Sequence, residues 1–271
     1  MLTLSRRTIS IGGRQCLVLS RMIAKALHLC LPLSVALVPY GPAAAQTTPP
    51  AQEIVLRADE ARFPREGFEV LINIRTTDNG RPKEERLYKV LSKGNDNTIV
   101  MTLEPASERG QILLMKGRDL WMFLPRVSQP VRLSLAQRLI GQVSNGDIAR
   151  ANFAGDYKAK LLGSEKLGNE MAYLLDLVAV DRSVTYQRVR YWVSQATLRP
   201  LKAEFYSLSD RLLKSCEYRE YKQLSGKVRP TRLIMTDALN KGEQSLLDYS
   251  AMKPRELPDH VFTKEYLRRL D

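Results

Sequence analysis

Cysteine and histidine are almost missing from this chain of 271 residues, which has three of the first and two of the second. Cys16, Cys30 and His28 fall in an N-terminal stretch that reads as a leader, so Cys216 and His260 stand alone in the remainder of the chain. A single thiol forms no internal disulfide, and a lone imidazole anchors no Cys/His metal cluster. Cys216 sits in an alternating stretch and reads as a buried, inert thiol. Also absent are a G-x-S-x-G elbow, a P-loop and a dinucleotide fingerprint. Asp176 and Asp181 lie beside a strand end, where carboxylates are ordinarily solvated. An enzyme needs an acid, base or nucleophile held in place. The chain advertises none, so the expectation is a non-enzyme with no catalytic residue, no metal and no cofactor. No dense basic helix or aromatic-basic motif is present, and nucleic acid is not expected as a partner.

No apolar run reaches the roughly 20 residues of a membrane span. The longest, Ala26 to Val38, follows five cations (Arg6, Arg7, Arg14, Arg21, Lys25) and precedes Pro39, Gly41 and Pro42. Ala43-Ala44-Ala45 before Gln46 suits small-residue cleavage, and the order is that of a secretory signal peptide. Met1 and Met22 are both competent starts. Ser5-Arg6-Arg7 resembles a twin-arginine signal, but the apolar run begins far downstream. The residues before Cys30 (LHL) are too large for a lipoprotein site. The expected organisation is therefore a cleaved peptide at 1–45 and one domain at 46–271, exported to the periplasm. Removing the leader's five cations lowers the net charge from +13 to +8. A basic exported protein suits anionic lipid or an acidic protein partner.

What the chain does have is period-two patterning. AQEIVLRADEARFP (51–64) first reads as a helix stopped by Pro64. Phe68, Val70, Ile72 and Ile74 then share one strand face. Two apolar runs, ILLM and LWMFL, flank KGRD (116–119), where Gly117 can supply the positive φ of a tight hairpin turn. Both faces of the second run are apolar: Trp121 and Phe123 on one, Leu120, Met122 and Leu124 on the other. A sheet with one wet face would alternate, so apolar matter covers each face here. Residues 136–158 break the rhythm and read as helical or loop pieces covering the sheet. Strands resume to residue 253 with turns at steady spacing, the mark of an antiparallel meander. Roughly ten strands in one meander must curl or close to manage their edges. PDHVFTKEYLRRL reads as a short C-terminal helix whose Val261, Phe262, Tyr266 and Leu270 dock on the sheet. Binding apolar cargo needs no catalytic group: sequestering ~15 methylenes is worth about 12 kcal/mol before association costs.

Six segments in order resemble the LolA-like family of periplasmic outer-membrane lipoprotein-sorting proteins, its uncharacterised branch included. They are EIVLRADEARFP (53–64), RGQILLMKGRDLWMFLPRVSQPVRLS (109–134), DYKAKLLGSEKLGNEMAYLLDLVA (156–179), VRYWVSQATLRPLKAEFYS (189–207), CEYREYKQLSGKVRPTRLIM (216–235) and LPDHVFTKEYLRRL (257–270). Where family members often carry a GSDFSYEDL-like stretch, this chain has NGDIARANF (145–153), keeping Asp147 and losing the aromatics after it. The resemblance implies a mainly β chain, an antiparallel meander curled into an incomplete barrel, with helices covering a hydrophobic concave face. It implies a monomeric carrier that binds acyl chains of lipoproteins or lipids and moves them toward the outer membrane. The rival expectation is a periplasmic sensor or accessory subunit that binds an envelope regulator or a lipid-exporting membrane transporter, with an inner- or outer-membrane protein as partner. Alternation and the implied fold together nominate Val70, Ile72, Met101, Leu114, Met122 and Trp192 as groove liners, between the sheet and the segments 51–62 and 136–153.

Overall fold

The computed structural model describes residues 48–150 and 152–267. The expected signal peptide and the docking role of Leu270 lie outside them. Helix α1 (Ala51–Arg62) has the bounds its sequence announces. Glu53 in its first turn and Arg62 in its last complement the helix dipole. Ile54, Val55 and Ala58 are fully buried on one side, which stabilises the docking of the first two by roughly 1.5–3 kcal/mol each. After it a run of hairpins builds β1 (Phe68–Asp78), β2 (Arg81–Lys93), β3 (Asn97–Glu104), β4 (Ile112–Lys116), β5 (Asp119–Phe123) and β6 (Val131–Leu133). Gly117 turns β4 into β5 with φ +63°, as the KGRD pattern requires.

The irregular stretch then forms a two-stranded ribbon, β7 (Arg138–Ile140) with β8 (Val143–Ser144), and two short helices, α2 (Asn145–Ala149) and α3 (Phe153–Asp156). A second run of hairpins comes next: β9 (Tyr157–Leu167), β10 (Glu170–Ala179), β11 (Arg188–Ser194), β12 (Pro200–Tyr206), β13 (Leu212–Leu224), β14 (Lys227–Asp237) and β15 (Glu243–Pro254). The expected single C-terminal helix is instead a 3-10 turn at Asp259–Phe262 and a four-residue helix, α4 (Lys264–Leu267). Thr263 divides them: its hydroxyl donates to His260 O and accepts from Tyr266 N–H, the interruption a capping hydroxyl makes.

Thirteen strands make one antiparallel sheet, three more than the pattern suggested. The order runs β6-β5-β4-β3-β2-β1-β15-β14-β13-β12-β11-β10-β9. The two hairpin runs are joined where β1 pairs with β15. The sheet's free edges are therefore β6 and β9, and it does not close into a barrel. No other strand of this sheet lies between these two in sequence, so the link from Ser134 to Asp156 must travel from one edge to the other. It does so over the inner face.

That face and its cover form the main core. Val70, Ile72, Tyr88, Val100, Leu113 and Leu120 come from one half of the sheet, and Leu175, Val189, Tyr191, Phe205 and Leu247 from the other. Ile54 and Val55 of α1, with Ile140, Val143, Ile148 and Phe153 of the link, meet them. A second, smaller core lies on the outer face, where Leu257, Val261, Phe262 and Leu267 pack on Leu91, Ile99, Ile112 and Leu114. β5 thus has apolar cover on both sides. Leu120 and Met122 face the main core, while Trp121 and Phe123 face the C-terminal segment. The Cys216 thiol is fully buried in the main core, and burial pushes it up to about 12.

Candidate functional site

The site the fold sets apart is the inner face of the open sheet under a roof made of α1 and the link. The roof is held by polar groups, because pieces as short as α2 and α3 have little backbone pairing of their own. Three ties hold it. In the first, Gln52 of α1 donates to Ala154 O at 2.6 Å and Tyr157 O at 3.1 Å, and accepts from Ala159 N–H at 3.1 Å. It serves the end of edge strand β9 as a neighbouring strand would. Asp59, further along α1, accepts from Ala154 N–H at 2.8 Å and stands 3.7 Å from Arg62. Burial pushes the Asp59 carboxyl up to about 7, against the pull of Arg62 and the Ala154 N–H. The Arg62 guanidinium lies 4.8 Å from the centre of the Phe153 ring and 5.6 Å from that of Tyr218, a cation held by aromatic faces.

The second tie fixes the middle of the link. Lys214 of β13 reaches inward and donates to Asp147 at 2.9 Å and to Gln142 O. Tyr186 OH donates to Asp147 at 2.8 Å, and its ring lies 5.0 Å from the Lys214 ammonium. Lys214 and Asp147 are both buried, so the pair is shielded from salt screening. Beside them Gln142 N–H donates to Ser245 Oγ at 2.9 Å, which shares a hydrogen bond with Thr76 at 3.1 Å. Gly141 allows this approach, with φ +50° and no room for a Cβ against the two hydroxyls.

The third tie is an ionic clasp between the two halves of the sheet. Arg150, at the end of α2, binds Asp156 with both arms of its guanidinium, Nε at 2.5 Å and Nη2 at 2.8 Å. Its remaining amino group donates to Asp96 at 2.6 Å and Gly117 O at 2.8 Å, both on the β3–β4–β5 side. Arg118, on the β4–β5 turn, crosses to Asp156 at 3.1 Å and to Asp181 beyond β10. Asp181 is therefore an ion-pair partner and not a free surface carboxylate. Hydrogen bonds from the Ser183 hydroxyl and N–H hold its carboxyl below the usual range, with Arg118 adding to them.

Under this roof the inner face is filled. The central space, bounded by Arg62, Asp147, Arg150, Tyr157, Tyr186 and Phe205 among others, is about 10 Å³, room for about one water. Of the residues nominated as liners, Val70 and Ile72 are buried in the main core, and Met122 packs half-buried against it. Leu114 and Met101 belong to the outer core under the C-terminal segment. Trp192 also lies outside. Its strand neighbours Tyr191 and Val193 point inward, while its indole N–H donates to Glu165 at 2.8 Å and Lys202 covers its ring at 4.7 Å. The six do not line one surface. Of the residues that tie the roof down, only Asp147 carried a sequence signal. The Arg118, Arg150 and Lys214 contacts span 38, 54 and 67 positions, and no local pattern announces pairs so far apart. Among the described residues no group of His, Cys, Asp and Glu could hold a metal ion, and no helix is long and apolar enough to cross a membrane.

A mostly β chain whose large antiparallel sheet stays open, with helices laid on its inner face, defines the class: an incomplete β-barrel roofed by short helices. The chain belongs to the LolA superfamily. It is similar to a LolA superfamily protein from Nitrosomonas europaea at 58% identity, over 81% of this chain and 100% of that one, with a TM-score of 0.77. A family model described as an uncharacterized protein matches residues 94–269. Two more solved structures share the fold. One is a putative outer membrane lipoprotein-sorting protein domain from Vibrio parahaemolyticus (21% identity, 81% of this chain and 98% of that one, TM-score 0.70). The other is a DUF1329 family protein from Desulfovibrio piger (23% identity, 80% and 97%, TM-score 0.70). The comparison with curated proteins finds no match.

Proposed function

We propose that residues 46–271 are the mature form of a periplasmic, non-enzymatic carrier that takes acyl chains of lipids or lipoproteins against its inner face and moves them toward the outer membrane. Membership of the superfamily and the fold shared with a lipoprotein-sorting domain support this reading. The observation that carries it is the roof. An apolar wall spanning thirteen strands is covered by one helix and a link that carries few ladder hydrogen bonds and is tied down by side chains. Strand pairing would be a permanent seal, whereas side-chain ties can be exchanged one by one. The space beneath is too small for cargo as it stands, so entry requires the link to lift. The inward-facing Val70, Ile72 and Met122 then meet the acyl chain. In this reading Met101 and Leu114 belong to a cargo-bearing surface only if the C-terminal segment also moves, and Trp192, covered on the outer side by Lys202, does not belong to it.

The test is mass spectrometry of lipid extracted from the protein purified from its native envelope, followed by titration with a fluorescent fatty acid. The expected result is a stoichiometric acylated species, or saturable uptake by stripped protein. Lipid-free protein that also fails to take up the probe, in the wild type and in a variant with the clasp removed, ends this reading.

A further inference from the structure

A charged group that the roof does not use lies at the C-terminal end of α1. Arg229, on β14, is only 2% exposed. A buried guanidinium is ordinarily matched by a carboxylate, but the hydrogen bonds it makes among the described residues go only to backbone carbonyls. Its Nε donates to Leu224 O at 3.1 Å, and its Nη1 donates to Glu60 O at 2.8 Å and Ala61 O at 3.4 Å. The last two carbonyls end α1 and carry its partial negative charge, about half an elementary charge. That offsets part of the guanidinium's charge. The remaining amino group, Nη2, makes no hydrogen bond among the described residues. Burial pulls the guanidinium below its ordinary pKa, with Glu66 opposing, yet an arginine stays charged.

Beside Arg229 a cavity of about 370 Å³ opens to solvent, lined also by Phe63, Pro64, Arg65, Lys227 and Pro254. Three of its lining side chains are cations. Of its two carboxylates, Glu60 is already held between Arg57 at 3.7 Å and Arg65 at 3.5 Å, and Glu66 remains. The cavity is therefore a positively charged hollow with a donor of a largely buried guanidinium, unpaired among the described residues, at its base and an apolar side.

We propose that this cavity is a phosphate-binding site, filled either by a phospholipid head group or by free phosphate. Nη2 of Arg229, left free at the base of the cavity, is the anchor, Lys227 supplies the outer charge with help from Arg65, which Glu60 partly neutralises, and Phe63, Pro64 and Pro254 support whatever the phosphate is attached to. Phosphate oxygens satisfy the guanidinium that no protein carboxylate reaches, and charge-assisted bonds of this kind are the strong ones. The site stands apart from the carrier reading, since it needs no lifted roof and no acyl chain.

The experiment is calorimetric titration of the whole purified protein at fixed chloride concentration, once with inorganic phosphate and once with dihexanoyl phosphatidic acid below its micelle concentration. Lys227→Gln is the principal variant, because the side chain is exposed and its loss leaves the fold alone. Arg229→Lys is the second, accompanied by a thermal melt, because Arg229 also caps α1. Lys241→Gln, on the β14–β15 turn and outside the cavity, is the control for net charge. Expected are binding of at least one ligand, a loss of about tenfold in Lys227→Gln, and no change in Lys241→Gln. Tighter binding of the phosphatidic acid assigns the site to a lipid head group, and equal or weaker binding assigns it to the free anion. Absence of heat with both ligands overturns the proposal. An unchanged Lys227→Gln overturns it too, as does an equal loss in Lys241→Gln. Phosphate binding by a protein that takes up no fatty acid would leave this site standing and remove the carrier.

Discussion

Replacing Arg150 by Met tests whether the ionic clasp holds the roof. The guanidinium is buried and donates four hydrogen bonds: two to Asp156, one to Asp96 and one to Gly117 O. They are not equal. The Asp96 side chain is 48% exposed, so that arm contributes under about 1 kcal/mol. The Asp156 side chain is buried, and removing one partner of such a pair costs about 3–5 kcal/mol. Arg118 still meets Asp156 at 3.1 Å after the change, which places the loss near the lower limit, about 3 kcal/mol. For a domain of this size that lowers the thermal midpoint by about 6–12 °C. Adding Asp156→Asn removes a buried charge that Arg118 alone matches only in part and is expected to restore at least half of the loss, a coupling above about 1 kcal/mol. Urea unfolding of the two single variants and the double variant measures it. The same Arg150→Met protein is expected to take up a fluorescent fatty acid faster than the wild type. A single variant within about 0.5 kcal/mol of wild type, or a double variant no more stable than the single, would refute the assignment of the clasp.

Gly141→Ala tests the middle of the roof. A Cβ there would stand 2.8 Å from Thr76 Cγ2 and overlap the Thr76 hydroxyl and the Ser245 hydroxyl that accepts from Gln142 N–H, in a backbone conformation that itself costs Ala about 1–2 kcal/mol. A total loss of about 2–4 kcal/mol is expected in urea unfolding, and a variant as stable as wild type would mean the link does not press on β1 and β15. The third prediction concerns acid. Arg255 and Lys253, with Lys89, hold the Glu69 carboxyl at about 2. A carboxyl lowered in the folded state stabilises above its unfolded pKa and loses that contribution as pH falls through the folded value. Stability should therefore drop between about pH 5 and pH 2, by about 1–2 kcal/mol from this group after allowance for solvent. Glu69→Gln should flatten that part of the pH profile of unfolding, and a variant that keeps the full slope excludes Glu69 as its source.

Local chemistry made much of this fold readable. The bounds of α1 follow from its spacing and from Pro64, and the hairpin at Lys116–Asp119 follows from Gly117. The shared face of Phe68, Val70, Ile72 and Ile74 and the two-sided burial of β5 follow from alternation, because a strand's side chains change sides at each residue. What alternation cannot tell is which side is concave. Met101, Leu114 and Trp192 are as apolar as Val70 and Ile72, and only curvature and the docking of the C-terminal segment place them outside. The roof was legible as a break in rhythm but not as a structure, since strands of two or three residues and helices of four or five carry no period. Its position was decided by one distant pairing. β1 and β15, with Glu69 and Arg255 separated by 186 positions, close the middle of the sheet and leave β6 and β9 as its edges. The link joining those edges then has to cross the inner face. Arg118 and Lys214 have no local partner to reveal them, and the contacts of Arg150 with Asp96 and of Arg229 with α1 exist only once the tertiary fold brings distant groups together. The sequence alone determined most strands and turns, the bounds of α1 and the absence of recognisable catalytic motifs. Tertiary structure chose the concave side and built the roof and its clasp there, because long-range pairing, unlike period and turn chemistry, leaves no local trace.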